Sequence, residues 1–192
     1  MKLKEDKTFY FDEKAATRCI FFIENHIKHI KGELGGQPFK LEPFQKTIVR
    51  DLFGWKYRDS GLRRFRTAYI CLPRKNGKST LISAIALYML LADNEPSAEC
   101  YIAAGDRQQA GIIFDVASGM VRADNQLNKN LKVLRTLLST RKATQLSRLL
   151  VLKQVLNLDT TLVLFVWMSS LFRKILAYGM LLQLRLVVGD SQ

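Results

Sequence analysis

The chain has 192 residues, 48% of them hydrophobic and 24% charged, which suits one domain with a buried core. A formal net charge of +13 and a pI near 9.9 point to an acidic partner, nucleic acid first. Three widely spaced cysteines (Cys19, Cys71, Cys100) exclude a disulfide framework and a zinc pattern and fit a reducing cytosol, and His26 and His29 are too few for a metal site. The opening MKLKEDKTFYFDEK has no apolar run behind its charges, so it is not read as a signal peptide.

The first element is an amphipathic helix over Lys14–Lys31. Ala16, Ile20, Ile23, Ile27 and Ile30 recur at helical spacing, and Gly32 stands where a C-terminal stop belongs. The two histidines fall on its exposed side, and the helix is read as a packing element. Gly35-Gly36-Gln37-Pro38 is a turn. A second helix opens at Leu41-Glu42-Pro43-Phe44-Gln45 and runs to about Phe53, with Pro43 in its first turn and Gly54 at its end. The amide of Gln45 offers a donor and an acceptor, as an adenine edge requires, but by composition alone Gln45 is a solvated surface residue. Next come Lys56, Arg58, Arg63, Arg64 and Arg66, interleaved with Trp55, Tyr57 and Phe65. This basic stretch suits phosphate-backbone or base contacts, and it equally suits a solvated strand edge and loop.

The chain then turns apolar at Ala68–Leu72, passes through Pro73-Arg74-Lys75-Asn76-Gly77-Lys78-Ser79-Thr80, and becomes helical from Leu81 to Leu91. The order is strand, loop, helix. A triphosphate needs backbone N–H groups at a helix N-terminus, a lysine for the β- and γ-phosphates, and a hydroxyl for Mg²⁺. Gly77 allows close backbone approach, Lys78 supplies the charge, and Ser79 supplies the metal hydroxyl. The usual pattern begins with a glycine five residues before Gly77, and here that residue is Leu72. After a break at Asp93-Asn94-Glu95-Pro96, Glu99–Ala104 reads as a second strand, which makes a βαβ unit with a right-handed crossover. Gly105–Gln108 is a loop, and Gln109–Val121 a helix. Ile112-Ile113-Phe114-Asp115 imitates a strand ending in a metal-binding aspartate, but Ile113, Val116 and Met120 keep helical spacing and no second acid follows.

These residues resemble the large terminase subunit of tailed double-stranded-DNA phages, an ATP-driven DNA-packaging motor and nuclease. The resemblance spans roughly residues 10–140 and rests on motifs in the same order. They are Phe21-Phe22 with Lys31-Gly32-Glu33, Leu41–Lys46, Leu52–Trp55, Arg64–Tyr69, Pro73–Thr80, and Ala103-Ala104 with Arg107-Gln108-Gln109-Ala110. The family's loop reads P-R-K-N-G-K-S/T, which accommodates Leu72. The resemblance implies an α/β fold: a P-loop NTPase parallel sheet flanked by helices, incomplete here, and preceded by N-terminal helices. It implies ATP and Mg²⁺ as cofactors, with Gln45 near adenine and Arg74 or Lys75 as the basic loop residue near the γ-phosphate. Asn76, Gly77, Lys78, Ser79 and Thr80 complete the nucleotide loop, Ser79 on Mg²⁺. It further implies double-stranded DNA, a small terminase subunit and a portal protein as partners, in the cytoplasm of a bacterial host.

The family's ATPase needs a further strand ending in Asp-Glu, and its nuclease domain needs metal-binding acids. From Arg141 to Gln192 the acids are Asp159 and Asp190 alone, with Thr160 where a glutamate would follow Asp159, and leucine dominates. The run Thr161–Met168 is too short to span a membrane, and no stable membrane association is expected. A leucine-rich helix pair is one reading of this tail; a shifted reading frame explains more. Joining the third base of each codon to the first two of the next, Trp167-Met168 forces an aspartate codon, and Met168-Ser169 permits only Glu or Val. Thr161–Ser170 then allows IVCLDEL, a strand ending in Asp-Glu. Leu149–Leu162 allows VLSAEAGSKFGYNA, and Ala177–Gln192 allows LWDVATTAFGGRRQ; all three resemble the terminase family in order.

The expected organisation is therefore an N-terminal helical part at 1–60, a partial P-loop core at 61–140, and an aberrant, truncated tail at 141–192 following a one-base shift near codons 140–143. The expected activity is ATP binding with poor turnover and no nuclease activity, and a sheet missing an inner strand is expected to expose apolar edges. A helicase-type P-loop ATPase and a non-enzymatic basic DNA-binding protein are the competing readings.

Overall fold

In the computed structural model, the described residues are 5–65, 68–70, 72–73, 76–93, 98–104, 107–134, 137–140, 148–151, 163–168 and 186–188. The chain opens with strand β1 (Phe9–Phe11) and helix α1 (Glu13–His26), then helix α2 (Pro43–Gly54) and strand β2 (Trp55–Tyr57). β1 and β2 pair antiparallel, Phe9 opposite Tyr57 and Phe11 opposite Trp55, as a separate two-stranded sheet.

Asp12 starts α1 by accepting a hydrogen bond from the Ala15 amide, which satisfies one of the first-turn donors. The helix ends at His26, earlier than the expected Lys31, although the apolar spacing continues through Ile27 and Ile30. Backbone pairing stops it: Phe39 N–H donates to Ile27 O at 2.8 Å and His29 N–H to Gln37 O at 2.9 Å. The chain leaves the helix to pair with its own return strand. Gly32, at φ 75°, therefore serves the turn and is not the helix stop. His29 lies outside the helix and meets Phe39 edge-on at 5.1 Å, while His26 is half-buried, 4.0 Å from Asp124. Neither histidine is the exposed helix-face residue expected.

Helix α3 (Lys78–Leu91) is the centre of the molecule, and every residue from Leu81 to Leu90 is buried. It has no polar face because it has no wet side: it packs against α1, helix α4 (Arg107–Ala123) and strand β4 (Glu99–Ala104). Ser83 fits this setting by donating its hydroxyl to Ile113 O on α4 at 3.0 Å. One continuous apolar cluster runs from Cys19 through Val49, Phe53, Leu87 and Tyr88 to Ile102, Met120 and Leu138. Each fully buried Leu or Ile contributes about 1.5–3 kcal/mol, an upper bound against a compact unfolded chain. The α4 residues Ile113, Ala117 and Met120 face this cluster, so helical spacing decides that segment.

A seven-stranded sheet carries the rest, in the order β3 (Ala68–Tyr69), β9 (Leu186–Val188), β8 (Val163–Met168), β4, β7 (Arg148–Val151), β6 (Leu137–Thr140), β5 (Leu131–Val133). Helix α5 (Asn125–Asn130) precedes β5 and is capped by Asp124. The expected parallel sheet is a mixed one. β3 with β9 and β4 with β7 are parallel, and every other pairing is antiparallel. β3 and β4 still run in the same direction, as a βαβ unit requires, but β9 and β8 stand between them. Strands from beyond residue 140 thus occupy the gap that the incomplete-sheet expectation left open, so β3 and β4 are not left as bare apolar edges there. Among the described residues no helix is long and apolar enough to cross a membrane.

Gly54 ends α2 for a steric reason. A Cβ there would lie 2.3 Å from the Phe11 ring, so close packing of β1 on α2 requires glycine. Gly54→Ala should lower stability by about 1–3 kcal/mol. Urea unfolding checks this, and an unchanged midpoint would show that Phe11 moves aside at no cost.

Candidate nucleotide-binding site

The strand–loop–helix motif forms as read, with a shorter strand. β3 keeps only Ala68 and Tyr69, and the helix begins at Lys78. Gly77 is its N-cap, at φ 71° and ψ 18°, a left-handed conformation that side-chain-bearing residues rarely adopt. This inverts the usual preference for an extended polar cap. α1 and α5 are capped by aspartate side chains, and α2 by a capping box. α3 has no side-chain cap, and Leu81 N–H to Gly77 O, at 2.9 Å, is its first closed turn. The amides of Lys78, Ser79 and Thr80 precede that turn. They are the positive end of a buried helix, and its first turn contains no acid. Such an end suits an anion.

Lys78 Nζ donates to Leu72 O at 2.9 Å. The loop therefore curls back so that its lysine reaches the carbonyl where the motif starts. Leu72 is half-buried and packs against the main apolar cluster. A side chain where glycine is usual thus has a packing role, and its carbonyl remains free to accept from Lys78. Asn76 and Pro73 are exposed, Ser79 and Thr80 are half-buried, and Arg74, Lys75 and Cys71 lie outside the described residues.

Gln45 is placed against this loop and is no surface residue, being 3% exposed. Its Oε1 accepts from the Glu42 N–H at 3.1 Å as part of the α2 capping box. Its Nε2 lies 3.3 Å from where a Cβ on Gly77 would stand. The sequence does not announce this cap, because the capping-box signature opens on Ser, Thr, Asp or Asn and the N-cap here is Glu42. Nothing in the spacing announces the Lys78–Leu72 contact.

The basic stretch forms contacts within the chain. Lys56 Nζ meets Asp12 at 2.7 Å, Arg58 meets Glu5 at 3.2 Å, and Arg63 meets Asp93 at 3.1 Å. Arg58 lies over Tyr10, Arg63 over Phe53, and Arg64 over Phe9 with its guanidinium carbon 3.9 Å from the ring centre. These four residues are thus engaged within the chain rather than standing as a solvated strand edge and loop; Arg66 lies outside the described residues. The Arg63–Asp93 pair is mostly buried and ties the segment before β3 to the far end of α3. Burial pushes the Cys19 thiol well up, with the nearby Asp93 carboxylate adding to the effect, so it is no nucleophile. The one Asp-Glu pair in the sequence, Asp12-Glu13, is likewise structural: Asp12 caps α1, and Glu13 holds Arg50 through Nη2–Oε2 at 2.7 Å. Among the described residues no group of three His, Cys, Asp or Glu could hold a metal ion.

The family described as "Terminase large subunit, ATPase domain" matches residues 43–160, about twenty residues past the expected boundary at 140. The large terminase subunit of Enterobacteria phage HK97 is 34% identical over 114 residues, 58% of this chain and 21% of that protein. The crystal structure of the HK97 large terminase superposes with a TM-score of 0.64 at 21% identity, covering 92% of this chain and 38% of that one. This chain therefore spans about a fifth of the length of its curated relative.

The Asp12–Lys56 contact makes a pH prediction. The hydrogen bond from Lys56 first, and then the Ala15 amide, hold the Asp12 carboxyl below its ordinary 3.8. A depressed folded value means the stabilisation is complete above the unfolded value, near 3.8, and is lost as pH falls through the folded one. Asp12→Asn should lower stability at neutral pH and flatten the decline below pH 3.8. Chemical denaturation at several pH values checks this; a mutant whose deficit is the same at every pH contradicts it.

Proposed function

We propose a function from one premise: the chain belongs to the terminase large-subunit family, whose ATPase domain it matches over residues 43–160. Its loop takes Mg²⁺-ATP, as the nucleotide unit of an ATP-driven machine that moves double-stranded DNA into a viral procapsid. The observation that carries this is the uncapped start of α3 at Gly77, with Lys78 as its first residue. The donors fit a polyphosphate: first-turn amides without acid nearby, a flexible ammonium group, and two hydroxyls. Lys78 would hold the β- and γ-phosphates, Ser79 the Mg²⁺, Thr80, Asn76 and Gly77 the remaining loop contacts, and Arg74 or Lys75 the γ-phosphate. Bound Mg²⁺ would supply charge neutralisation on the phosphate oxygens. The DNA, the portal protein and the small terminase subunit are the partners this reading brings, in the cytoplasm of the bacterial host.

Turnover is a separate matter, and we infer that it is weak. In sheets of this kind, ligands sit beyond the carboxyl ends of strands. β8 stands next to β4 but runs against it, with Val163 opposite Ala104 and Met168 opposite Glu99. Its carboxyl end therefore lies at the sheet edge away from the loop that follows β3. Ser169-Ser170 follow β8, where an acid pair would be needed to order Mg²⁺ and activate water. A shifted reading frame accounts for this: the neighbouring frame of the same stretch allows an apolar strand ending in Asp-Glu. Sequencing the coding region from the codon of Leu134 onward decides it. An open neighbouring frame that spells that strand supports the shift, and a frame closed by stops removes it.

Binding is tested with a fluorescent ATP analogue and Mg²⁺. Lys78→Ala should weaken binding by roughly ten- to a hundredfold, the value of a charge-assisted hydrogen bond to phosphate. Equal binding by the wild type and the mutant would end the nucleotide reading. DNA binding that is salt-sensitive and indifferent to Lys78→Ala, without nucleotide binding, would favour the non-enzymatic alternative.

A further inference from the structure

We propose that the end of the β1–β2 ribbon that carries Arg58 and Arg64 is a contact surface for the phosphate backbone of double-stranded DNA, with Glu5 and Asp6 holding the phosphates' places until DNA displaces them. This rests on DNA as the partner in the reading above and is independent of the nucleotide loop. Residues 5–13 carry four acids and one lysine, in a chain whose net charge is +13. Those acids lie where the cations are. Glu5 pairs with Arg58 at 3.2 Å, and Glu13 with Arg50. The Asp6 carboxyl is held below its usual range by the Phe9 and Thr8 amides first, and then by Arg64 and Arg58, so both arginines act on it. The same segment supplies a ring to each arginine: Tyr10 to Arg58, Phe9 to Arg64 and Phe11 to Arg50.

A ring and a carboxylate hold a guanidinium in different ways. The ring takes the face of the planar group and uses no N–H, whereas an acid takes the N–H edge. Arg58 is fixed further by its Nε, which donates to Asp6 O at 2.9 Å, while its Nη2 meets Glu5. Removing the Glu5 carboxylate therefore frees a donor edge and leaves the guanidinium in place. The pair is open to exchange. Its side chains are 48% and 51% exposed, against 18% and 14% for Arg63–Asp93, and an exposed pair contributes little. A DNA phosphate in the same position adds the release of a condensed counterion, which a carboxylate of the chain cannot offer. The rings decide which nucleic acid fits. Single strands bind by stacking bases on aromatic faces, and here Phe9 and Tyr10 already carry arginines. Contact with a duplex backbone needs no free ring.

The test measures binding of a labelled duplex DNA to the full chain over a range of salt concentrations. Glu5→Gln removes the charge but keeps an oxygen to accept from the Phe11 amide, so β1 keeps its anchor. This variant should bind the duplex roughly two- to fivefold more tightly. Arg58→Ala should weaken binding and flatten the slope of log affinity against log salt by about one. The gain from Glu5→Gln should vanish once Arg58 is alanine, because the carboxylate then has no arginine to mask. An equal gain in both backgrounds is a general charge effect and overturns the proposal, as does a salt slope that Arg58→Ala leaves unchanged. Arg58→Gln serves, with the same expected slope, if the alanine variant does not fold. A gain seen with single-stranded DNA and absent with the duplex overturns the choice of ligand. A wild-type chain that binds no duplex at any salt concentration overturns the DNA partnership and this proposal with it, and leaves nucleotide binding at Lys78 standing.

Discussion

A helix buried on all sides has no freedom to reorient, and α3 is such a helix. Its residues Leu81–Leu90 are enclosed by α1, α4 and the sheet, so its axis is set by packing alone. What remains adjustable is its first turn, which emerges from the core at Gly77. The left-handed glycine and the half-buried Leu72, whose carbonyl receives Lys78, shape that turn, and the buried Gln45 lies beside it. The hydrophobic effect fixes the direction of the helix end, and a few polar contacts fix its shape. The geometry of this helix end belongs to the core.

The charge balance reads differently once the contacts are known. A surplus of +13 invites a nucleic-acid surface, and the densest cationic stretch is the obvious candidate. Yet Lys56, Arg58, Arg63 and Arg64 hold acids and aromatic faces of the same chain. The half-exposed Arg58–Glu5 pair contributes little to stability; the buried Arg63–Asp93 pair would be costly to break from one side. Net charge describes the molecule as a whole and does not say which cations are available. The same holds for acids: Asp12-Glu13 has the composition of a catalytic pair and serves as a helix cap and an arginine partner.

Local chemistry was the legible part of this sequence. Period and punctuation located α2 and β4 closely and placed α4 within two residues at each end, because each is decided by burial of its own apolar positions. The P-R-K-N-G-K-S-T motif located the loop because glycine takes the left-handed turn at Gly77 without steric cost. What escaped depended on distant partners. α1 ends early because Ile27 and His29 pair with residues ten or so positions later, which periodicity cannot register. The sheet was expected to be parallel and is mixed, because strand direction follows from which segments come together and not from the strands' composition. Gln45 looked like a surface residue by type, and its burial follows from α2 docking beside the loop.

The most direct test of the account is hydrogen exchange on the full chain with and without Mg²⁺-ATP. Amides in a phosphate site become protected when the ligand fills it. The account predicts slowed exchange concentrated at Gly77–Thr80, with the basic stretch from Trp55 to Phe65 unchanged. Protection confined to that stretch, or no change at the start of α3, would contradict the claim that this helix end is where the nucleotide binds.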